Sequence, residues 1–433
     1  MKSAQVSSCT ALVLGLALAS MPMAATAKTN NKPNKPSTIT VSPGQSIQAA
    51  VDAAKPGDTV KVLAGDYHEP YMGFSSAAVR ITKPLKLTAS GKVRILPSPG
   101  QTDGILVEPA NPGDPDIDGI EIKGFTVEGF SNNGIWLAHV NHFNIENNVS
   151  INNLENGIWP TLSANGQVKK NVAYGSTDSA LWIEASQNVR VINNELHHSP
   201  TGLEVTISKN VTMENNNIHD NTVGIGLYHP AAAGLPEADW PAGPFGDWHV
   251  TNNYVHDNNV SIPMLGGEVA LLPPGLGMLL LGVDNVDVRE NRIEKNDLTG
   301  VAMIDWCVAH GTPGCLDDQG QPEDLPGSDS AVDYTKVVEN KFAGNHTVDY
   351  YPTVPFPGAD ILYVDASYFS EYLPAGTHNC QSDNKLIKTP TPNPGPLIIA
   401  LPETGLPACA DDDDDQDDDD GHDDQGHNDR RHH

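Results

Sequence analysis

The sequence predicts an all-β solenoid, because polar residues return at a short, regular interval through the middle of the 433-residue chain. Asparagines recur every 22 or 23 residues and then continue after longer gaps: Asn148, Asn171, Asn194, Asn216, Asn253, Asn291 and Asn340. Five positions after each comes a second small polar residue: Asn153, Ser176, Ser199, Asn221, Asn258, Asn296 and Asn345. Such a unit is too short for a helix pair and fits three short strands joined by turns. Asn tolerates tight-turn geometry, so we expect its amide to bond to the copy in the next coil.

Residues 38–58 predict a cap over the first coil. Four apolar residues in this segment have helical spacing: Ile47, Ala50, Val51 and Ala54. Ser46 is placed to cap this helix, and strands are expected on either side of it, at 38–41 and 59–62. One amphipathic helix at this point would cover the open apolar end of a solenoid.

The same segment carries a family resemblance. Residues 46–69, SIQAAVDAAKPGDTVKVLAGDYHE, resemble the N-terminal cap of right-handed parallel β-helix proteins of the pectin-lyase-like superfamily. The NxIHDN-type repeats at 216–221 and 253–258 resemble those of carbohydrate-binding β-helix proteins. That group includes mannuronan C5-epimerases and the periplasmic nitrous-oxide-reductase maturation protein. The resemblance spans about residues 38–350 and implies a right-handed parallel β-helix, but the shared repeats are structural and imply little about activity.

The N-terminus indicates an exported protein. Lys2, a short apolar run and small residues ending at Ala27 have the features of a secretory signal peptide, so we expect a secreted or periplasmic location. No other segment is apolar enough to predict a membrane span. The expected divisions are a signal peptide (1–27), a flexible leader (28–37), an N-terminal cap (38–58), a parallel β-helix (59–350), an irregular C-terminal cap (351–410) and a disordered Asp/His-rich tail (411–433).

Export makes disulfides possible. Four cysteines follow the signal peptide and allow three pairings: Cys307, Cys315, Cys380 and Cys409. We prefer the pair Cys307 with Cys315, which would close the loop around residues 311–314. A zinc site is disfavoured, because the four lack paired C-x-x-C spacing.

The charge of the chain is unevenly distributed. The net charge is −30, and the twelve Asp and two Arg of residues 411–433 account for −10 of it. We interpret this tail as a solubilising end, with weak cation binding by its histidines as the alternative. The other −20 argues against a nucleic-acid partner. We expect a monomer whose partner is a polysaccharide or oligosaccharide.

The period also predicts which side chains leave the solenoid. Each first strand can be phased on a Gly or Ala fourteen residues ahead of the ladder Asn, and alternation then sends one set inward: Ile135, Leu137, Ile158, Leu181, Ile183, Leu203, Val205, Ile225 and Leu227. One outward column reads Trp136, Trp159, Trp182, Glu204, Gly226, Leu279 and Ala302. Its neighbour reads Ala138, Thr161, Glu184, Thr206, Tyr228, Leu281 and Ile304.

Three outward tryptophans in successive coils predict a sugar-binding strip. At a coil spacing of about 4.8 Å, Trp136, Trp159 and Trp182 would form a flat aromatic surface, onto which the apolar faces of sugar rings pack. Thr161 and Thr206 stand beside this strip and are expected to contact the substrate. The alternative is that the tryptophans pack beneath a loop.

Two outward glutamates are the candidate catalytic pair. Glu184 and Glu204 lie in adjacent coils with an expected separation on the order of 7–9 Å, which suits an acid and a base that cleave a glycosidic bond with inversion. Tyr228 and His229 are the nearest proton carriers, and Asp305 could approach from a further coil. The glutamates suit sugar hydroxyls or Ca²⁺ equally well; Ca²⁺ is the one cofactor considered, and no metal ligands are assigned. His197, His219 and His256 recur at one repeat position, where structural stacking is expected.

Three long insertions leave the same end of the first strand, after Glu108, Tyr228 and Asp305, and so predict the walls of a groove. We therefore expect a secreted protein that acts on a polysaccharide there, as a hydrolase or by a lyase route. The outward columns hold no Lys or Arg, and the Asp-Pro-His-Asp motif of mannuronan epimerases is absent, which disfavours epimerisation. The alternatives are a non-catalytic glycan-binding module and a purely structural solenoid.

Overall fold

The computed structural model describes residues 35–73, 75–263, 272–309, 315, 327–348, 357–388 and 393–410. The predicted signal peptide and acidic tail lie outside these residues, as does most of the leader. In the part of the chain that the structure describes, no helix is long and apolar enough to cross a membrane.

The first strand of each coil builds one face of a parallel β-helix. In the described chain these strands pair in parallel and in chain order as an eleven-stranded sheet, which we call the first-strand sheet. Its members are Ala77–Ile81 (β3), Asp103–Val107 (β5), Ile135–Ala138 (β7), Ile158–Thr161 (β10), Ser179–Glu184 (β13), Thr201–Thr206 (β16), Val223–Tyr228 (β19), Leu276–Leu281 (β22), Thr299–Ile304 (β25), Ala359–Val364 (β28) and Ile398–Leu401 (β31).

The second and third strands of the coils form the other sheet, which we call the flanking sheet. It has twenty parallel strands within the described ranges. It begins with Thr38–Val41 (β1) and three long strands, Thr59–Tyr67 (β2), Leu85–Ile95 (β4) and Ile117–Glu128 (β6). The later second strands are Val140–Glu146 (β8), Ala164–Lys169 (β11), Gln187–Ile192 (β14), Lys209–Glu214 (β17), Gly246–Thr251 (β20), Val286–Arg289 (β23), Lys336–Val338 (β26) and Cys380–Ser382 (β29). The third strands are Val149–Ile151 (β9), Val172–Tyr174 (β12), Glu195–His197 (β15), Asn217–His219 (β18), Tyr254–His256 (β21), Arg292–Glu294 (β24), Lys341–Ala343 (β27) and Lys385–Leu386 (β30).

The predicted inward residues fill the space between the sheets. Every one of the nine side chains from Ile135 to Leu227 is fully buried. They form one continuous core with residues of the flanking sheet such as Val168 and Val191. Each buried aliphatic side chain stabilises the fold by about 1.5–3 kcal/mol. Because every coil adds its own inward residues, the core extends along the solenoid rather than gathering at one centre.

Both predicted polar ladders are confirmed. The backbone N–H and the Nδ2 of Asn148 donate to Oδ1 of Asn171 at 2.9 and 3.1 Å. The same pair of bonds repeats from coil to coil as far as Asn340, which donates to Asn384. The second ladder runs through amide–amide bonds from Asn221 onward. Because a buried amide without a partner costs about 1–3 kcal/mol, a slip in register is strongly disfavoured.

The predicted capping helix is Ile47–Ala53 (α1), and Ser46 accepts a bond from the Ala49 N–H at 3.0 Å. The Glu69 carboxylate accepts from the Ile47 N–H at 2.6 Å, which ties the helix to the first coil. Ile47 and Val51 enter the core. Among the described residues, the other helical segments are Trp306–Ala309 (α2) and single 3₁₀ turns at Pro230–Ala232, Glu237–Asp239, Ala366–Tyr368 and Glu403–Gly405.

The cysteines form two disulfides, Cys307–Cys315 and Cys380–Cys409. The preferred pairing of Cys307 is therefore confirmed. Cys380 pairs with Cys409, so all four cysteines that follow the predicted signal peptide are disulfide-bonded.

Candidate functional site

The outward face of the first-strand sheet carries three parallel columns of side chains, set by the register of the strands. The leading column is Asn133, Asn156, Ser179, Thr201, Val223, Leu276, Thr299 and Ala359. The middle column is Leu106, Trp136, Trp159, Trp182, Glu204, Gly226, Leu279, Ala302 and Leu362. The trailing column is Ala138, Thr161, Glu184, Thr206, Tyr228, Leu281, Ile304 and Val364.

The three tryptophans stack on one another. The ring centroids of Trp136 and Trp159 are 5.0 Å apart, those of Trp159 and Trp182 are 5.5 Å apart, and both pairs lie within 14° of parallel. The ring faces are therefore occupied by neighbouring rings, and the sheet surface presents indole edges. The prediction of a flat strip of ring faces is wrong, because stacking along the coils is the arrangement that buries the most aromatic area.

The indole N–H groups differ along the stack. Trp182 is 6% exposed and donates to the Thr206 hydroxyl at 3.0 Å. Trp136 and Trp159 are half-buried, and their Nε1 atoms have no hydrogen-bond partner. Asn156 in the leading column also has a buried Nδ2 without a partner. All three nitrogens are themselves buried, and the Trp159 N–H lies near enough to the Glu184 carboxylate to favour its charged form.

Glu184 is fully buried beneath the loop that follows β19. Its Oε1 accepts from the backbone N–H groups of Gly234 at 2.7 Å and Leu235 at 3.1 Å, and Thr161 lies 3.5 Å from Oε2. Burial raises the pKa of Glu184 to about 7, even though these donors favour its charged form. The carboxyl group is therefore poised near neutrality but shielded from solvent.

Whereas Glu184 lies at the end of β13, the Glu204 side chain, on β16, points toward Ser179 at the start of β13. Its Oε2 accepts from the Ser179 hydroxyl at 2.5 Å, so the two glutamates diverge on either side of Trp182. Burial and the nearby Asp178 carboxylate raise the pKa of Glu204 well above its ordinary value. Burial, followed by Glu155, raises the pKa of Asp178 to about 7. The half-buried Asp178, which was not among the predicted site residues, therefore acts on Glu204 more strongly than Glu184 does.

Tyr228 lies over this acidic pair. A Cβ at Gly226 would come within 2.1 Å of the Tyr228 hydroxyl, so only glycine leaves room for the ring in the middle column. The hydroxyl lies 3.4 Å from Thr201 Oγ1. Burial and the charge of Glu204 raise the pKa of Tyr228 well above its ordinary value. It is therefore a neutral hydroxyl that can donate a bond near Glu204.

The other two predicted proton carriers have structural partners. His229 is fully buried, with Nδ1 accepting from the Ala231 N–H at 3.0 Å and Nε2 lying 2.9 Å from the Asp329 carbonyl. Asp305 accepts from the Cys307 N–H at 2.7 Å and the Ser330 hydroxyl at 3.2 Å, where it caps α2. Burial raises the pKa of Asp305 to about 7. The structure does not bring either residue to the Glu204 carboxylate.

Histidines and cations lie on the flanking sheet. The rings of His197, His219 and His256 stack with centroids 5.0 Å apart, which confirms the predicted stacking. Lys169 and Arg190 pair there with Glu146 and Glu214. Within the described ranges, no group of three or more His, Cys, Asp or Glu residues is arranged to hold a metal ion.

Asp178 and the leading column were not predicted, because they lie ahead of the residues on which the first strands were phased. Ala180 and Leu181 are consecutive residues that both enter the core. A period of two counted back from Trp182 would send Ala180 outward and Ser179 inward, so Ser179 reaches the outward face against the alternation, and Asp178 lies just ahead of β13. The leading column has a sequence signal: a polar residue stands directly ahead of the phasing Gly or Ala, as in Asn133, Asn156 and Ser179.

The architecture defines the class of this chain: it is a right-handed parallel β-helix protein. A family model described as right handed beta helix region matches residues 104–235. DFA-IIIase from Arthrobacter chlorophenolicus A6 in complex with GF2 is similar at 16% identity and a TM-score of 0.54, covering 83% of this chain and 86% of that chain. The mannuronan C-5 epimerase A-module from Azotobacter vinelandii is similar at 16% identity and a TM-score of 0.53, covering 84% and 92%. At this identity the likeness shows the fold alone, and it confirms the predicted right-handed parallel β-helix. No curated protein matches the chain by sequence.

Proposed function

We propose that this protein is an exported carbohydrate-active β-helix protein, which binds a polysaccharide beside Trp136 and Trp159 and hydrolyses it at Glu204. The observation that carries the proposal is the meeting of two features on one face. The acidic pair Glu204 and Asp178 stands at one end of the tryptophan stack, and the half-buried rings of Trp136 and Trp159 stand at the other.

The acidic pair suits general acid–base chemistry. Two neighbouring carboxyl groups do not ionise together readily, so one keeps its proton at neutral pH. Glu204 is the more buried of the two and is assigned as the acid that protonates the glycosidic oxygen. Asp178 is assigned as the carboxylate that takes a proton from the attacking water. Tyr228 supplies a neutral hydroxyl beside the acid.

The comparisons support a glycan as the substrate class. The epimerase to which the chain is similar acts on mannuronan, as its name states. The present chain has no Lys or Arg in the columns from Trp136 to Tyr228 and would not neutralise a uronate carboxylate there. We therefore propose a neutral glycan, with hydrolysis favoured over a lyase route. Ca²⁺ stays a proposal, and the N–H donors that occupy Glu184 do not suit that residue as a calcium ligand.

A second candidate is a binding module without turnover. The observation that favours it is the burial of the acids, since Glu184 is 0% and Glu204 4% exposed. Under this alternative the carboxyl groups are part of the support for the tryptophan stack.

The two candidates are separated by the Glu204→Gln variant of the mature protein. Wild type and variant are incubated with cellohexaose, mannohexaose, chitosan hexamer and polymannuronate, with and without Ca²⁺, and products are separated by chromatography. We expect the variant to bind a neutral oligomer as wild type does and to lose about 10²–10⁴-fold in turnover, the contribution of a general acid. Equal product release by both proteins would remove Glu204 from the reaction. Binding without product from either would favour the second candidate.

A further inference from the structure

The loop after β19 lies directly on the candidate site. Its central residues Gly234 and Leu235 aim two N–H groups at a single oxygen of Glu184. Gly234 also lies against the ring of Trp182, since a Cβ built on it would be 2.8 Å from Cη2. This loop contact covers Trp182 and Glu184, which are buried, whereas Trp136 and Trp159 are half-buried.

The loop is fastened at its ends and lightly held at its centre. Near one end, His229 packs on Trp306 with ring centroids 5.1 Å apart. Near the other, Trp240 packs edge-on against Phe245, and Lys209 donates to the Gly243 carbonyl at 3.2 Å. Between these anchors, residues 236–239 are exposed. The bonds to Glu184 are therefore the polar contacts that tie the centre of the loop to the sheet.

The covered surface repeats the features of the open one. Trp182 continues the stack of Trp136 and Trp159 at the same tilt, and its N–H already orients the Thr206 hydroxyl. Glu184 offers an acceptor that the two backbone N–H groups fill from above. Hydroxyl groups of a sugar are donors of the same kind and can replace those N–H groups one for one.

We propose that Trp182, Glu184 and Thr206 form an additional subsite for a neutral sugar ring, and that residues 230–244 occupy it in the ligand-free protein. The inference rests on the proposed function and extends it by one ring along the stack. The loop moves away when sugar hydroxyls take over Glu184. A uronate ring is disfavoured, because its carboxylate would meet Glu184 and the columns from Trp136 to Tyr228 hold no Lys or Arg.

The variant Gly234→Ala tests the subsite without changing any residue that lines it. Gly234 does not have a left-handed backbone, so Ala is allowed there, and its Cβ would push the loop off Trp182. Gly243→Ala is the matched control, because a Cβ at that position of the same loop meets nothing within 4 Å. Amide exchange of residues 230–240 is followed by mass spectrometry, and binding of cellohexaose and mannohexaose by calorimetry.

We expect faster exchange in Gly234→Ala and a dissociation constant for a neutral hexamer about tenfold lower than in wild type, since apparent affinity scales with the open fraction. Gly243→Ala should match wild type in both measurements. The gain should persist when Glu204→Gln is added, which separates this subsite from turnover.

Unchanged exchange, or faster exchange with unchanged or weaker binding, would overturn the subsite and leave the proposed function standing if wild type binds. Failure of the proposed function looks different: neither wild type nor Gly234→Ala binds either hexamer, and that result would overturn both.

Discussion

The outward face of the first-strand sheet has two halves of opposite chemistry. From β7 to β16 the columns hold tryptophans, carboxylates, hydroxyls and amides, and the end with Trp136 and Trp159 is half-buried. From β19 to β28 the same columns hold residues such as Val223, Leu279 and Ala302, which form an apolar cluster of their own. The strands continue in parallel register through both halves. The same parallel strand arrangement thus carries polar side chains in one half, which we call the polar half, and a buried apolar cluster in the other, which we call the closed half.

The closed half shows what a purely structural face requires. Leu279 is 1% exposed and packs with Tyr228 and Trp306, so the insertions complete a second core outside the solenoid. In the polar half Trp136 and Trp159 stay half-buried, and no apolar cluster of the described chain covers them. The difference in exposure between the two halves supports ligand binding at the polar half.

The largest effect is expected from truncating one residue in the middle column of each half. Leu279→Ala should lower the free energy of unfolding by about 2–5 kcal/mol, because it opens a cavity in a packed cluster, and should leave glycan binding unchanged. Trp136→Ala should cost only about 1–2 kcal/mol, since its ring is partly in water, but should weaken glycan binding about tenfold. Urea denaturation and calorimetry measure the two quantities. Stronger destabilisation by Trp136→Ala would contradict the contrast between the halves.

An intermediate effect is expected from pH. Burial raises the pKa of Glu184 from 4.5 to about 7, so its proton stabilises the folded state most below pH 4.5. That stabilisation is lost as pH rises through 7. Wild type should therefore lose roughly 2–3 kcal/mol more than Glu184→Gln between pH 5 and pH 8. Parallel pH profiles from wild type and variant would show that Glu184 does not titrate in this range.

The smallest effect is expected in the leading column. Ser179→Ala removes the donor to Glu204 and should cost about 1 kcal/mol, with a drop in turnover. Thr299→Val is the matched change in the closed half, where Oγ1 is buried without a partner. It should be neutral or slightly stabilising and should leave turnover unchanged. Destabilisation by Thr299→Val would indicate a bridging water at that hydroxyl.

The sequence was sufficient for the scaffold because the scaffold is periodic. The ladder asparagines, the inward residues from Ile135 to Leu227 and the helix capped by Ser46 all follow from local rules that hold in every coil. The pairing of Cys307 with Cys315 followed from a short loop. Each of these depends on residues within one coil or on its identical neighbour.

The site was predictable only where it obeys the same period. The columns that contain Trp159 and Glu204 were found, but the tilt of the rings depends on side-chain rotation, which spacing does not encode. The cover over Glu184 comes from residues 50 and 51 positions further along the chain. Asp178 was missed because it lies ahead of β13, outside the strand residues that were phased.

The asparagine ladder has a consequence for how this chain changes length. Each amide donates forward to the next asparagine, from Asn148 to Asn171 and onward to the last described member, Asn384, and donates back to a carbonyl of the preceding coil, as Asn148 does to Ile122. A whole coil can therefore be inserted or removed with every donor still meeting an acceptor, whereas a shift of one residue would unpair the row. Duplication or loss of whole coils would therefore give related proteins with longer or shorter solenoids. The loops that carry or cover a site could be exchanged between them independently of the coils.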